Sequence, residues 1–182
     1  MKLFAKLIIL LTLLSSSIYA GKKEDILEAV RDGDVEKLKT LVKGKIKMNF
    51  ADSREMTPLM IAANDNNLEI ANILIESGVD VNIKNKENGK TALMYAASNG
   101  FIEMCQLIIA DKDIVLNAKD KSGKTALMHA VFNARKEVTK LFIDAGANVN
   151  SRTDTDESAM TFALKSGRSE IVNLLRAAGA KE

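Results

Sequence analysis

The side chains best suited to catalysis are scarce in this chain. It has one His, His129, and one Cys, Cys105. A zinc centre needs three or four convergent ligands. A nucleophilic site needs a nucleophile, a base and an orienting group that meet in space. No Gly-x-Ser-x-Gly, His-Glu-x-x-His or phosphate-loop spacing occurs. The acidic run "TDTDES" from Thr153 lacks the Gly and closing Glu of a calcium loop, so it reads as an ordinary polar loop. Cys105 lies in "IEMCQLII", among apolar residues at helical spacing. It reads as a small buried apolar residue rather than a reactive thiol, and being alone it forms no internal disulfide. A small hydrolase or metal-dependent enzyme would have to centre on His129, and the plainer reading of that residue is structural. The expectation is therefore no catalytic residue, no cofactor and no metal, which leaves recognition as the chemistry to look for.

The first 20 residues, "MKLFAKLIILLTLLSSSIYA", have the layout of a cleavable export signal. Lys2 and Lys6 precede an uncharged apolar stretch from Leu7, and small residues lead to Ala20. That stretch is 14 residues, short of the roughly 18 needed to span a bilayer. Cleavage after Ala20 is expected, and with it a periplasmic or secreted protein. Without Lys2 and Lys6 the formal charge of +2 disappears, so the small basic excess does not point to nucleic acid. With 182 residues, 47% of them hydrophobic and only 4% aromatic, the chain can bury a continuous core of Leu, Ile, Val, Ala and Met.

What positions any binding residue is a repeat. Thr57, Thr91 and Thr125 begin "TPLMIAA", "TALMYAA" and "TALMHAV", and Ser158 begins the weaker copy "SAMTFAL"; the starts are 34, 34 and 33 residues apart. A fixed period near 33 marks a stacked array of helical hairpins. In each unit the Thr hydroxyl caps a helix, and Pro58 takes the first helical position in one of them. Leu59, Ala62 and Ala63 share a face at i, i+3, i+4 spacing. A break follows at "NDNN", "SNG", "NARK" and "SGRS". Gly100, Gly167 and Asn66 suit a left-handed turn there, and Ala134 suits it poorly, so strain is expected at Ala134. Second helices follow at "LEIANILI", "IEMCQLII", "KEVTKLFI" and "SEIVNLLR". The segments "DSREM", "NKENGK" and "KDKSGK" read as polar hairpin tips. No unit can bury its apolar stripe alone, so the units must share one core.

The stretch "TPLMIAANDNNLEIANILIESGVDVN" resembles the ankyrin repeat. Three units from about Asp52 to Asn150 match well, and the first and last match in part. The resemblance implies an all-α ankyrin solenoid of about five helix-turn-helix repeats with short β-hairpin-like loops. Its approximate units are 21–50 (a cap), 51–83, 84–117, 118–150 and 151–182 (a cap), after a leader at 1–20. One departure recurs: Met60, Met94, Met128 and Thr161 stand where the family has a His that ties neighbouring hairpins by hydrogen bonds. Packing is expected to replace that tie.

The resemblance also implies that the chain binds a protein partner through its hairpin tips and concave helix face. The tip positions are Ser53, Arg54 and Met56; Glu87, Asn88 and Lys90; Lys121, Ser122 and Lys124; and Thr155 and Glu157. The turn positions are Asn64 and Asp65, Ser98 and Asn99, and Phe132 and Asn133. A further column, Ile61, Tyr95, His129 and Phe162, fills one slot of four successive first helices; it is either a ladder facing the groove or packing between repeats. From these, Arg54, Met56, Asp65, Asn88, Lys90, Tyr95, Asn99, Lys121, Lys124, His129, Phe132 and Asn133 are the candidates for partner contact. The expected partner is a protein, not nucleic acid, with no membrane attachment once the leader is gone and the chain itself a monomer. The alternative role is that of an envelope factor that regulates or protects another exported enzyme, for example under oxidative stress.

Overall fold

A computed structural model describes residues 20–43 and 48–181. The expected leader lies outside the described residues except for Ala20, which belongs to the first helix. That helix, α1, is described over 20–32. It is followed by α2 (Val35–Leu41), α3 (Pro58–Asn64), α4 (Leu68–Glu76), α5 (Ala92–Asn99) and α6 (Ile102–Ile109). Then come α7 (Ala126–Phe132), α8 (Lys136–Asp144), α9 (Ala159–Lys165) and α10 (Ser169–Ala177).

The cap positions are where the spacing puts them. Thr57, Thr91, Thr125 and Ser158 are extended in backbone, and each side chain accepts from the N–H three residues on, at 3.2–3.4 Å. The helices fall into two layers. In the inner layer α3 packs on α5, α5 on α7 and α7 on α9; in the outer layer α4 packs on α6, α6 on α8 and α8 on α10. Each inner helix also packs on the outer helix of its own unit. The small pairs Ala62–Ala63 and Ala96–Ala97 are fully buried between the layers, as are Ala130 and Val131. The core runs without a break from Ile26 to Leu175, as units that cannot fold alone require.

Ala134 takes φ +59°, the left-handed region, in the slot that Gly100 and Gly167 fill in neighbouring units and Asn66 fills with φ +57°. The expected strain is present. Of the methionines in the His slot, Met60 does more than pack: its sulfur accepts the Thr57 N–H at 3.5 Å. In the last unit the Thr161 hydroxyl accepts the Ser158 N–H at 3.3 Å.

Hydrogen bonds between tips supply a further tie. The base of each tip is closed by a backbone bond of 2.9 Å, from Asp52, Asn85, Asp120 and Thr153 to the carbonyls of Met56, Lys90, Lys124 and Glu157. Successive tips are then joined: Lys121 N–H donates to the Asn88 carbonyl at 3.0 Å, and Asp154 N–H to that of Ser122 at 3.3 Å. That close approach explains the glycines of "NGK" and "SGK". Gly89 and Gly123 both have φ +77°, and a Cβ on either would stand 2.5–2.6 Å from the next tip's backbone nitrogen. Among the described residues the only β pairing is the isolated antiparallel bridge between Arg152 and Ser158.

Candidate functional site: two clefts in the concave groove

Tips and inner helices together form a groove with two clefts. The N-terminal cleft, of about 320 Å³, lies between Arg54 and Met56 of one tip, Asn64 and Asp65 at the end of α3, and Glu87 and Asn88 of the next tip, with Ile61 and Tyr95 behind. The central cleft is larger, about 570 Å³. It lies between Asn88 and Lys90, Lys121 to Lys124, the α7 residues His129 and Phe132, and Asn133 just after that helix. Every candidate for partner contact lines one cleft or the other except Asn99. That residue lines neither; its Nδ2 donates to the Asn64 carbonyl at 3.2 Å and holds α5 to α3. Asn88 forms the wall between the clefts, and its Nδ2 donates to Tyr95 Oη at 3.0 Å.

The column left open by the sequence divides. Ile61, His129 and Phe162 are buried, which is the packing arrangement, and Tyr95 is half-buried with its hydroxyl on the groove wall. Phe132 is 50% exposed. Its ring meets Phe162 edge-on, with centroids 5.7 Å apart, and Lys124 Nζ lies 4.9 Å from the one ring and 5.4 Å from the other. Lys90 Nζ takes the equivalent place 5.6 Å from the Tyr95 ring.

The residue sequence reasoning missed is Asp120. Its Oδ1 accepts the Ser122 N–H at 2.8 Å, the Ser122 hydroxyl at 2.8 Å and the Lys124 N–H at 2.9 Å. Its Oδ2 is 2.8 Å from His129 Nε2. An ionised carboxylate only accepts, so the neutral imidazole carries its proton on Nε2 and donates. Burial pushes the Asp120 pKa up, but the Ser122 and His129 bonds outweigh it and leave it below the ordinary value. Burial lowers the His129 pKa, helped by the Lys90 charge and opposed by the Asp120 bond; the net shift is downward. Burial likewise lowers the pKa of half-buried Lys90, against the pull of Asp120.

The same acceptor role recurs at Asp52, Asn85 and Thr153. It is a column, readable in the sequence only once the tip register is known. The Ser122–Asp120–His129 arrangement is not a hydrolase triad, because the carboxylate sits between serine and histidine and the hydroxyl donates to it rather than to the ring. Cys105 is fully buried, and burial pushes its thiol up to about 12. Among the described residues no group of three or more His, Cys, Asp or Glu is placed to hold a metal ion.

A family model for ankyrin repeats matches residues 26–120 and 112–181. The chain belongs to the ankyrin repeat family. The tie between its tips, the capped inner helices and the groove are thus this family member's own version of a protein-interaction fold. A palmitoyltransferase, akr1 of Emericella nidulans, is 38% identical over 69 residues, 37% of this chain. The matched part is 9% of that protein's length, so this ankyrin protein shares a short region with it and nothing can be carried over from the remainder. No helix among the described residues is long and apolar enough to cross a membrane.

Proposed function

We propose that the chain is a non-enzymatic binding module, exported by its leader to the periplasm or the medium, that holds one protein partner in the concave groove as a monomer. The observation that carries this reading is the sorting of residue types. Positions that repeat from unit to unit are caps, small pairs and core, whereas the slots lining the two clefts differ from unit to unit, as Met56 does from Lys90 and Lys124, and Asn64 from Ser98 and Phe132. Binding of that kind needs an anchor and a polar rim, and Phe132 with the surrounding lysines and asparagines offers both.

The test is paired capture from the envelope and secreted fractions, with the wild type and a groove variant, Phe132→Ala with Asn133→Ala. A protein enriched by the wild type and lost with the variant supports the reading. Equal enrichment by both, or none by either, contradicts it. Fractionation of cells bearing a tagged copy tests export separately. The envelope-protection reading draws no support from Cys105, whose burial keeps its thiol protonated.

A further inference from the structure

Charge is distributed unevenly along the groove. Lys90, Lys121 and Lys124 line the central cleft, and among the described residues none of the three has a carboxylate oxygen within 4.0 Å. Lysines elsewhere do find partners: Lys136, Lys140 and Lys165 hold Glu170, Asp144 and Glu157 at 2.6–2.7 Å. The acid inside the central cleft, Asp120, pulls on Lys90 but supplies one negative charge against three positive ones, and its oxygens are held by Ser122, Lys124 N–H and His129.

We propose that the central cleft takes an acidic peptide segment of the partner, with two carboxylates against Lys90, Lys121 and Lys124 and an adjacent apolar side chain on Phe132. This rests on the binding-module reading and names the chemistry of the partner. Three observations carry it. Three cations converge on a cleft that holds a single carboxylate, Asp120, and none of them makes an ion pair in the described structure; a half-buried one such as Lys90 gains most from an incoming anion. The exposed face of Phe132 lies beside them on a ring already fixed by Phe162, so an apolar contact there orders little that is mobile. The flanks carry acids: Asp65 and Glu87 line the neighbouring cleft beside Arg54, and Glu157 lies on the other side, held by Lys165. A nucleic acid, with a charge at every phosphate, would run into those carboxylates; a short acidic segment ends before it reaches them.

The experiment is selection of random peptides displayed on phage against the full mature chain, followed by affinity measurement on synthetic copies. The expected peptides carry paired Asp or Glu next to an aromatic or aliphatic residue, and they compete with one another. Lys90→Gln, Lys121→Gln and Lys124→Gln combined weaken them by on the order of tenfold or more, and added salt weakens them as well. Should the triple variant melt early, Lys121→Glu alone carries the test, since that side chain is exposed and makes no ion pair in the described structure. Selected peptides that are neutral or basic yet are displaced by Phe132→Ala overturn the acidic assignment and leave the binding module standing. If no selected peptide responds to any groove substitution, both fall. Tighter binding of a single-stranded oligonucleotide than of any acidic peptide also overturns the proposal.

Discussion

The two clefts are built on one plan one repeat apart, yet they present opposite surfaces. In the slot before the capping Thr, the N-terminal cleft has Met56 and the central cleft has Lys90 and Lys124. Near the end of the inner helix, the slot held by Asn64 in the N-terminal cleft is held by Ser98 and Phe132 in the central cleft. Behind them, Ile61 gives way to Tyr95 and then His129. The frame is kept: tips close with a 2.9 Å bond and caps with the same side-chain bond, although the tip from Asn85 to Lys90 is one residue longer than the others. The repeat frame therefore sets where a side chain stands, and the slots facing the groove are free to set what it meets.

That contrast can be broken first at Asp120. Asp120→Ala removes four hydrogen bonds and leaves His129 without its acceptor, at an expected cost of about 3 kcal/mol. Asp120→Asn should cost clearly less, because Asn85 fills the same role in the neighbouring tip. Urea melts of both variants check this. Equal losses would show that charge rather than hydrogen-bond geometry holds the tip.

Gly123→Ala comes next, at about 2 kcal/mol, since the position has φ +77° and the new Cβ would stand 2.6 Å from Asp154 N. An unchanged melting temperature would mean that the two tips are not in contact.

His129 separates the clefts by pH. The folded His129 pKa lies below the ordinary 6.5. As pH falls through 6.5 the unfolded chain therefore takes up a proton that the folded chain resists, and stability drops. Between about pH 7.5 and about pH 5.5, His129→Gln should flatten that slope in urea melts. A slope that persists in the variant assigns the effect elsewhere. The smallest effect expected is a gain: Ala134→Gly relieves a left-handed alanine and should stabilise by about 0.5–1 kcal/mol in thermal melts. A loss would show that the site carries no strain.

The frame was legible because its signals are local. A capping Thr three residues before a helical N–H, a small pair on one face and a glycine at a left-handed turn each act within a few residues of chain. Even the strain at Ala134 could be read from its neighbours in the array. The site was legible only as positions. That tips and turns face one groove follows from the register, but which of their side chains stay available depends on contacts between units. Asn99 is drawn to the Asn64 carbonyl, 35 residues away, and His129 is taken by Asp120, 9 residues away. Arg135 and Arg168 reach the carbonyls of Ser98 and Val131 in the preceding unit. Aspartate in a polar loop is too common for the acceptor column at Asp52, Asn85, Asp120 and Thr153 to stand out before the tips are placed in three dimensions. The cleft lysines were visible as residues, whereas their lack of ion pairs in the described structure was not.

The central claim is that the partner sits on the concave side. Photo-cross-linking in cells tests it most directly, with a light-activated residue placed at Lys121 in the central cleft or at Lys140 on the outer helix α8. The account predicts a protein adduct from position 121 and none from position 140. An adduct from 140 alone, or equal adducts from both, would contradict it.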